Sequence, residues 1–330
     1  MKKISEKKAP LQVSFDITSN CNLRCVHCFN DSGKKAPLQD LGKEEKLSIA
    51  RQVAAMHPLN TCICGGEATL CPYLLEIVDI LAREGSKVSM VSNGFLMTRE
   101  LAKKLKEHGV CMVQISIDGA YAWQHDTFRG VNGSYERAVQ AARFLREVGM
   151  EQLDVSLVPN RLNYRTMPAY LAMCAELGVD EVRMMPLLPS GRAKSLARGL
   201  MLDSAQYFYF QRELVRLEAQ YQGRVKIMWG DPLDHMIRMP NNARLGASTY
   251  VMEIKTNGDL AVTSYLPLVA GNTRRASLAE YWQAGYNHIW GDKRFTSYTE
   301  QIQTIYDLDD FEPAPYSGEK IIMDLMEGKK

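Results

Sequence analysis

Cys21-Asn22-Leu23-Arg24-Cys25-Val26-His27-Cys28 decides the reading of this chain. It follows an apolar run, Leu11–Ile17, that reads as a first strand. Cysteines at such short spacings hold the irons of a [4Fe–4S] cube. No further cysteine follows until Cys62, so one iron of that cube stays open, as a catalytic metal keeps one position free. An open iron at a strand end is a place to bind and reduce a cofactor. The competing reading is a zinc knuckle made of the same cysteines with His27. Zinc accepts that tetrahedral set, but the Cys-x3-Cys spacing is unusual for it and no second ligand pair follows.

With this motif the chain resembles the radical S-adenosylmethionine (radical SAM) superfamily. In that family the open iron takes the amino and carboxylate groups of SAM, and one electron from the cluster cleaves SAM to a 5′-deoxyadenosyl radical. The resemblance makes Cys21, Cys25 and Cys28 the cluster ligands. Cys64-Gly65-Gly66-Glu67, at the end of the second expected strand, is similar to the family's GGE motif, which holds the SAM amino group. Two glycines let backbone approach a ligand closely, and a carboxylate accepts hydrogen bonds from an ammonium. Ala68 stands where the family often has proline. Ser92-Asn93-Gly94 ends the third strand, where the resemblance places the SAM ribose; the plainer reading is a glycine-assisted turn.

Ser116-Ile117-Asp118-Gly119, followed by His125-Asp126-Thr127-Phe128-Arg129-Gly130, resembles the SPASM-type branch. There a serine and the following arginine contact the SAM carboxylate, roles that fall to Ser116 and Arg129, since arginine forks onto carboxylates. The alternative for Arg129 is an ion pair that pins a loop. His27 stands where the family usually has an aromatic residue, and is assigned to packing or adenine contact. Cys62, Cys64, Cys71, Cys111 and Cys174 read as small apolar core residues, with Cys64 alone adjacent to the expected site. No catalytic side chain is assigned.

The segment from Leu245-Gly246-Ala247-Ser248 through Asn257-Gly258-Asp259, Ser264-Tyr265 and Gly271-Asn272 to Ser277–Trp282 looks like a SPASM or twitch domain. Relatives of that kind place cysteines near Leu245 and Ser264 and further along. This chain has none after Cys174, so the resemblance implies a kept scaffold without auxiliary clusters. The basic stretch Ser190–Arg198 offers contacts to substrate carboxylates or an acidic peptide, with a solvated surface run as the commoner explanation.

Alternating short apolar runs and amphipathic stretches argue for parallel β/α units. Expected strands are Leu11–Ile17, Thr61–Cys64, Lys87–Val91, Met112–Ile117, Leu153–Val158 and Glu181–Met185. Expected helices are Lys43–Met56, Pro72–Arg83, Arg99–Glu107, Tyr135–Val148 and Arg165–Leu177, with Pro72 and Ser134 at starts and Gly85, Gly109, Gly149 and Gly178 past ends. Beyond them lie a helix at Asp203–Gln222, a strand at Arg224–Trp229, and strands Tyr250–Lys255 and Ala261–Tyr265 joined by an Asn-Gly turn. The tail from Ile289 is expected to pack over the open barrel. The fold class is α/β: a partial (β/α)6 TIM barrel at 11–223, preceded by an extension at 1–10. A small SPASM-like α+β domain with its tail follows at 224–330.

Forty basic against thirty-eight acidic residues advertise no nucleic-acid or anionic-membrane partner. No apolar stretch approaches the roughly 20 residues needed to span a bilayer, and the start, Met1–Lys8, lacks the apolar core of a signal peptide. Cysteine usage fits a reducing, cytoplasmic setting. The resemblance implies modification of a ribosomally made peptide by crosslinking, epimerisation or backbone excision. A separate recognition protein would present the peptide, and a flavodoxin or ferredoxin would supply electrons. The alternatives are a small-molecule substrate such as an aminosugar, nucleoside or tetrapyrrole and, in another class, a zinc-binding interaction module.

Overall fold

The computed structural model describes residues 8–33, 39–244, 249–309 and 320–328. Its first half is a run of β/α units: β1 (Gln12–Asp16), α1 (Lys43–Ala55), β2 (Asn60–Cys64), α2 (Leu74–Arg83), β3 (Lys87–Ser92), α3 (Arg99–Glu107) and β4 (Val110–Ser116). It continues through α4 (Ala122–Arg129), α5 (Ser134–Glu147), β5 (Gln152–Leu157), α6 (Met167–Glu176) and β6 (Glu181–Met184). After α7 (Arg192–Leu196), α8 (Ser204–Tyr221), β7 (Lys226–Trp229) and α9 (Pro232–Arg244) come β8 (Val251–Ile254), β9 (Asp259–Ala261) and β10 (Leu268–Asn272). The chain then forms α10 (Leu278–Ala284), α11 (Lys293–Thr299) and β11 (Ile321–Ile322).

All strands join one open sheet in the order β11-β10-β9-β8-β1-β2-β3-β4-β5-β6-β7. From β8 through β1 to β7 every pairing is parallel. It is a partial TIM barrel, and it does not close. The strand period of two separates its faces. Val13, Phe15, Ile63, Val113, Ile115 and Val155 are fully buried in the core beneath the helices. Their neighbours Ser14, Asp16, Cys64, Gln114, Ser116 and Ser156 line the lumen. A fully packed parallel sheet would be apolar on both faces; the polar inner face here marks a cavity.

The six expected barrel strands are found, each within two residues at either end. Gly85, Gly109, Gly149 and Gly178 all have positive φ. Other details differ. Ser134 is not an N-cap: Gly133 caps α5, and the Ser134 hydroxyl donates to Asp126 Oδ1 at 2.8 Å. Pro72 lies outside α2, whose cap is Tyr73. α4 went unpredicted because its aromatic and polar residues are weak helix formers, and Gly130 in the left-handed conformation ends it.

The Asn257-Gly258 hairpin forms, but its second strand is Asp259–Ala261 and not Ala261–Tyr265. Ser264 and Tyr265 instead turn into the cavity wall. The expected boundary at 223/224 does not interrupt the sheet, since β7 pairs with β6 along Lys226–Trp229. The Leu245–Ser248 segment lies outside the described residues. In the tail, Ile305 packs on a cluster formed by Phe128, Leu187, Ala193, Ala197 and Met201. Among the described residues no helix is long and apolar enough to cross a membrane.

Candidate active site

The loop after β1 carries Cys21, Cys25 and Cys28, and backbone clamps it from several sides. Gly66 N–H donates to the Thr18 carbonyl at 2.7 Å and Glu67 N–H to that of Asn20 at 2.8 Å. A Cβ on Gly66 would lie 2.3 Å from the Asn20 oxygen, and one on Gly65 2.4 Å from that of Thr18. The glycine pair is therefore required for the cysteine loop to sit against β2, apart from any ligand. On the opposite side Arg24 and Val26 donate to the carbonyls of Arg129 and Phe128 at the end of α4.

Arg192, in the basic stretch read as a solvated surface run or a substrate contact, is buried. Its side chain donates to the Cys25 carbonyl at 2.9 Å, the Ser32 carbonyl at 2.8 Å and Asp31 Oδ1 at 2.8 Å. No local pattern announced this role.

All three sulfurs border one cavity of about 770 Å³ that fills the lumen. Burial raises the Cys21 pKa and pushes Cys25 up to about 11. Thiols so placed shed their protons when a cation replaces them, which suits an iron–sulfur cluster. Among the described residues no three His, Cys, Asp or Glu side chains are gathered for a single metal ion. A bound cluster would supply one-electron reduction here.

Asp118, beyond β4, organises the adjoining wall. Arg129 donates to its Oδ2 through Nε and Nη2, both at 2.6 Å, and reaches Cys25 Sγ through Nη1 at 3.7 Å. Val158 N–H donates to Asp118 Oδ1 at 2.8 Å. Burial would raise the Asp118 pKa, but Arg129 and the two nearby histidines hold it below the usual carboxylate range. Burial likewise works against the Arg129 charge, and Asp118 and Cys25 more than restore it. One edge of the guanidinium is thus committed within the protein. Asp118 was not singled out from sequence, although an Asp at a strand end followed by an Arg one helix later is a legible ion-pair signal.

His27 stacks on Phe128, with ring centroids 3.9 Å apart and planes 5° from parallel, and borders the cavity. Burial lowers its pKa to about 3, so the ring is neutral. Ser116 borders the cavity and accepts from the Ser156 hydroxyl at 3.3 Å. Ser92 and Asn93 border it too, and Asn93 Nδ2 donates to Asn22 Oδ1 at 2.8 Å.

Glu67, expected to meet the SAM amino group, is held by hydrogen bonds within the protein. It is 1% exposed and does not border the cavity. Its Oε1 accepts from Thr69 N–H, the Thr69 hydroxyl and the Ser92 hydroxyl, and its Oε2 from Asn93 N–H at 2.7 Å. The carboxylate ties the β2 loop to the β3 end, so Gly65 and Gly66 alone of this motif face the lumen.

Lys255 Nζ lies 3.3 Å from Asp16 Oδ2 and 3.4 Å from Glu253 Oε2, and donates to Ser264 Oγ at 2.9 Å. Ser264, where relatives would carry a cluster cysteine, spends its own proton on Glu253. Lower down, Arg183 and Lys226 pair with Glu181 at 2.7 and 2.8 Å.

Comparison with known proteins agrees with this geometry. A family model described as the radical SAM superfamily matches residues 15–174. The AdoMet-dependent heme synthase of Methanosarcina barkeri is 26% identical over 297 residues, 85% of this chain and 84% of that protein. The mycofactocin maturase MftC of Mycolicibacterium smegmatis is 35% identical over 184 residues, 56% of this chain and 46% of its own length. Streptococcus suis SuiB bound to S-adenosylmethionine shares the fold, with a TM-score of 0.67 at 18% identity over 83% of this chain and 66% of that one. The chain thus spans less than half of that MftC and about two thirds of SuiB. The chain carries a radical SAM domain and is a radical SAM enzyme that works with a [4Fe–4S] cluster and S-adenosylmethionine, and its relatives include maturases of the SPASM/twitch type.

Proposed function

We propose that this enzyme modifies a ribosomally made peptide. In this reading Cys21, Cys25 and Cys28 hold the cluster, while the Gly65–Gly66 backbone, Ser116 and Arg129 orient SAM toward the lumen. Glu67 and Asp118 act through the groups they position. A flavodoxin or ferredoxin delivers electrons, and a separate recognition protein presents the peptide.

The observation favouring a peptide is the edge of β7. Lys226 N–H donates to the Asp180 carbonyl and Gly230 N–H to that of Met184. In a parallel ladder the alternate residues, Ile227 and Trp229, then turn their backbone groups away from β6, and among the described residues no strand pairs there. Met228, 42% exposed, and Trp229 border the cavity beside that edge. An extended peptide adds to such an edge by backbone hydrogen bonds while its side chains enter neighbouring pockets.

A second reading, a tetrapyrrole or similar small molecule, rests on the heme-synthase likeness, which covers most of both chains. The cavity volume also lies within the range of small-molecule sites.

The deciding experiment gives reconstituted enzyme SAM and dithionite, with either a short precursor peptide encoded beside its gene or iron coproporphyrin. Peptide-dependent 5′-deoxyadenosine formation with a peptide mass change is expected. Stimulation by the porphyrin alone would overturn the peptide reading in favour of the second. Arg129→Ala should weaken SAM binding about tenfold, the worth of one charge-assisted contact; unchanged affinity would remove Arg129 from the SAM site.

A further inference from the structure

Cys62 and Cys64 alternate along β2 and so point to the same face, the lumen. Their sulfurs are 3.3 Å apart, and the Ser14 hydroxyl donates to Cys64 Sγ at 3.9 Å. Cys64 borders the same cavity as the cysteine loop. The other cysteines outside that loop do not border it: Cys71 and Cys174 are buried in the core, and Cys111 donates to the Val88 carbonyl. Cys64, set apart in the sequence as adjacent to the expected site, thus meets the cavity, and Cys62 stands directly behind it.

We propose that Cys64 is a hydrogen-atom donor to carbon radicals formed in the cavity and that Cys62 is its resolving partner. This rests on the enzyme's radical chemistry and not on the peptide reading. The two thiols are unequal in a way that suits these roles. Their mutual hydrogen bond lowers the Cys62 pKa, and with burial it raises that of Cys64. Of the two, Cys62 is the readier to ionise and Cys64 the readier to keep its hydrogen, and the 3.3 Å contact puts them within reach of each other.

In the step itself, a substrate carbon radical takes the hydrogen atom of Cys64: a C–H bond forms, the S–H bond breaks homolytically, and a thiyl radical remains. The Cys62 thiolate, its proton already lost to solvent, adds to that sulfur and forms a disulfide radical anion. One electron leaves to an oxidised carrier of the flavodoxin or ferredoxin class, and the Cys62–Cys64 disulfide remains. A dithiol reductant returns two electrons and two protons. Residues two apart on a strand have Cα atoms about 6.6 Å apart, near the ~6.8 Å limit for a disulfide. The bond therefore forms under strain and is readily reduced, as a turnover disulfide must be.

Two measurements on the cluster-loaded holoenzyme test this without any substrate. After diamide treatment and alkylation, the tryptic fragment from Gln52 to Arg83 should lose two hydrogens between Cys62 and Cys64, with Cys71 alkylated. In D2O with SAM and dithionite alone, uncoupled turnover should yield 5′-deoxyadenosine bearing deuterium from the Cys64 thiol. That label should fall at least fivefold in Cys64→Ser and Cys64→Ala, and stay at the wild-type level in Cys174→Ala. Cys62→Ser should keep the label yet form no disulfide, a split that a packing role cannot produce. A label unchanged in both Cys64 variants, or no Cys62–Cys64 disulfide in the oxidised holoenzyme, would overturn the proposal. Because no peptide is used, either result leaves the peptide reading where it stands.

Discussion

Along the β1–β5 side of the lumen, the three cluster thiols sit on one short loop wedged between backbone segments. At the seam where β8 pairs with β1, the polar groups come from segments far apart in sequence and are held by ion pairs. Asp16, Glu253, Lys255 and Ser264 converge from β1, β8 and the loops beyond β8 and β9. The first side is fixed by steric fit, in which a single methyl collides with a carbonyl oxygen. The second is fixed by charge balance in a largely dry interior, where losing one partner strands the others. Radical generation thus rests on geometry insensitive to pH and salt. The wall around Lys255 rests on interactions that can be retuned one residue at a time.

The comparison breaks most sharply at the cysteine loop. Cys25→Ala should abolish 5′-deoxyadenosine formation and leave anaerobically purified protein colourless; a brown, active variant would refute the ligand assignment. Next is Gly66→Ala, which touches no thiol. Its methyl must displace the Asn20 carbonyl, so iron content per chain should drop severalfold while the barrel's circular dichroism persists. Full iron loading would show that the clamp is dispensable.

At the β8–β1 seam, Lys255→Met removes the cation that lies 3.3 Å from Asp16 Oδ2 and 3.4 Å from Glu253 Oε2. Removing one partner of a buried pair costs about 3–5 kcal/mol, readable as a lower urea midpoint. SAM affinity should stay within about twofold. A parallel loss of SAM binding would mean the two sides are coupled and the contrast drawn here is false.

His125 gives a test in pH. Its Nδ1 accepts from Asp118 N–H at 3.0 Å, which requires the neutral ring. Burial first, then Arg129, lowers its pKa to about 4. Below the ordinary histidine value of ~6.5 the unfolded chain binds a proton that the folded one refuses. This contribution is complete above pH ~6.5 and fades as pH falls toward about 4, by up to about 1.4 kcal/mol per unit. His125→Asn should flatten the stability curve in that window; an unchanged slope would sink the claim. The smallest effect is expected from Cys174→Ala, about 1 kcal/mol of lost core packing, with SAM cleavage at the wild-type rate.

How much of this was legible depends on where each signal lay. The barrel strands, Gly85 and its counterparts, and the Asn257-Gly258 turn are local patterns of period, cap and turn, and they appear at or near their expected places. The cysteine loop was found because its chemistry is written in consecutive residues. Arg192 was missed because its partners at Cys25, Asp31 and Ser32 lie far upstream. The partners of Glu67 were hidden for a related reason: its motif identifies the loop but not the direction of the side chain, which Ser92 and Asn93 decide from the next strand. The Cys62–Cys64 contact shows both sides of this limit. Their common face follows from the strand period, but whether that face meets core or cavity does not.

By itself, then, the sequence determined the cofactor chemistry, the β/α rhythm and the absence of cysteines beyond Cys174. Each of these depends on residue identity and short spacing, which survive in any arrangement of the chain. Tertiary structure alone decided that β7 extends the barrel sheet and ends it with a free edge. It also decided that Asp118 and Lys255 sit at the centres of separate charge networks, and that Glu67 serves the loop and not the lumen. These outcomes depend on strands meeting across long sequence separations. Closing such loops is entropically unfavourable and is compensated only when the whole sheet assembles, so no local pattern contains them.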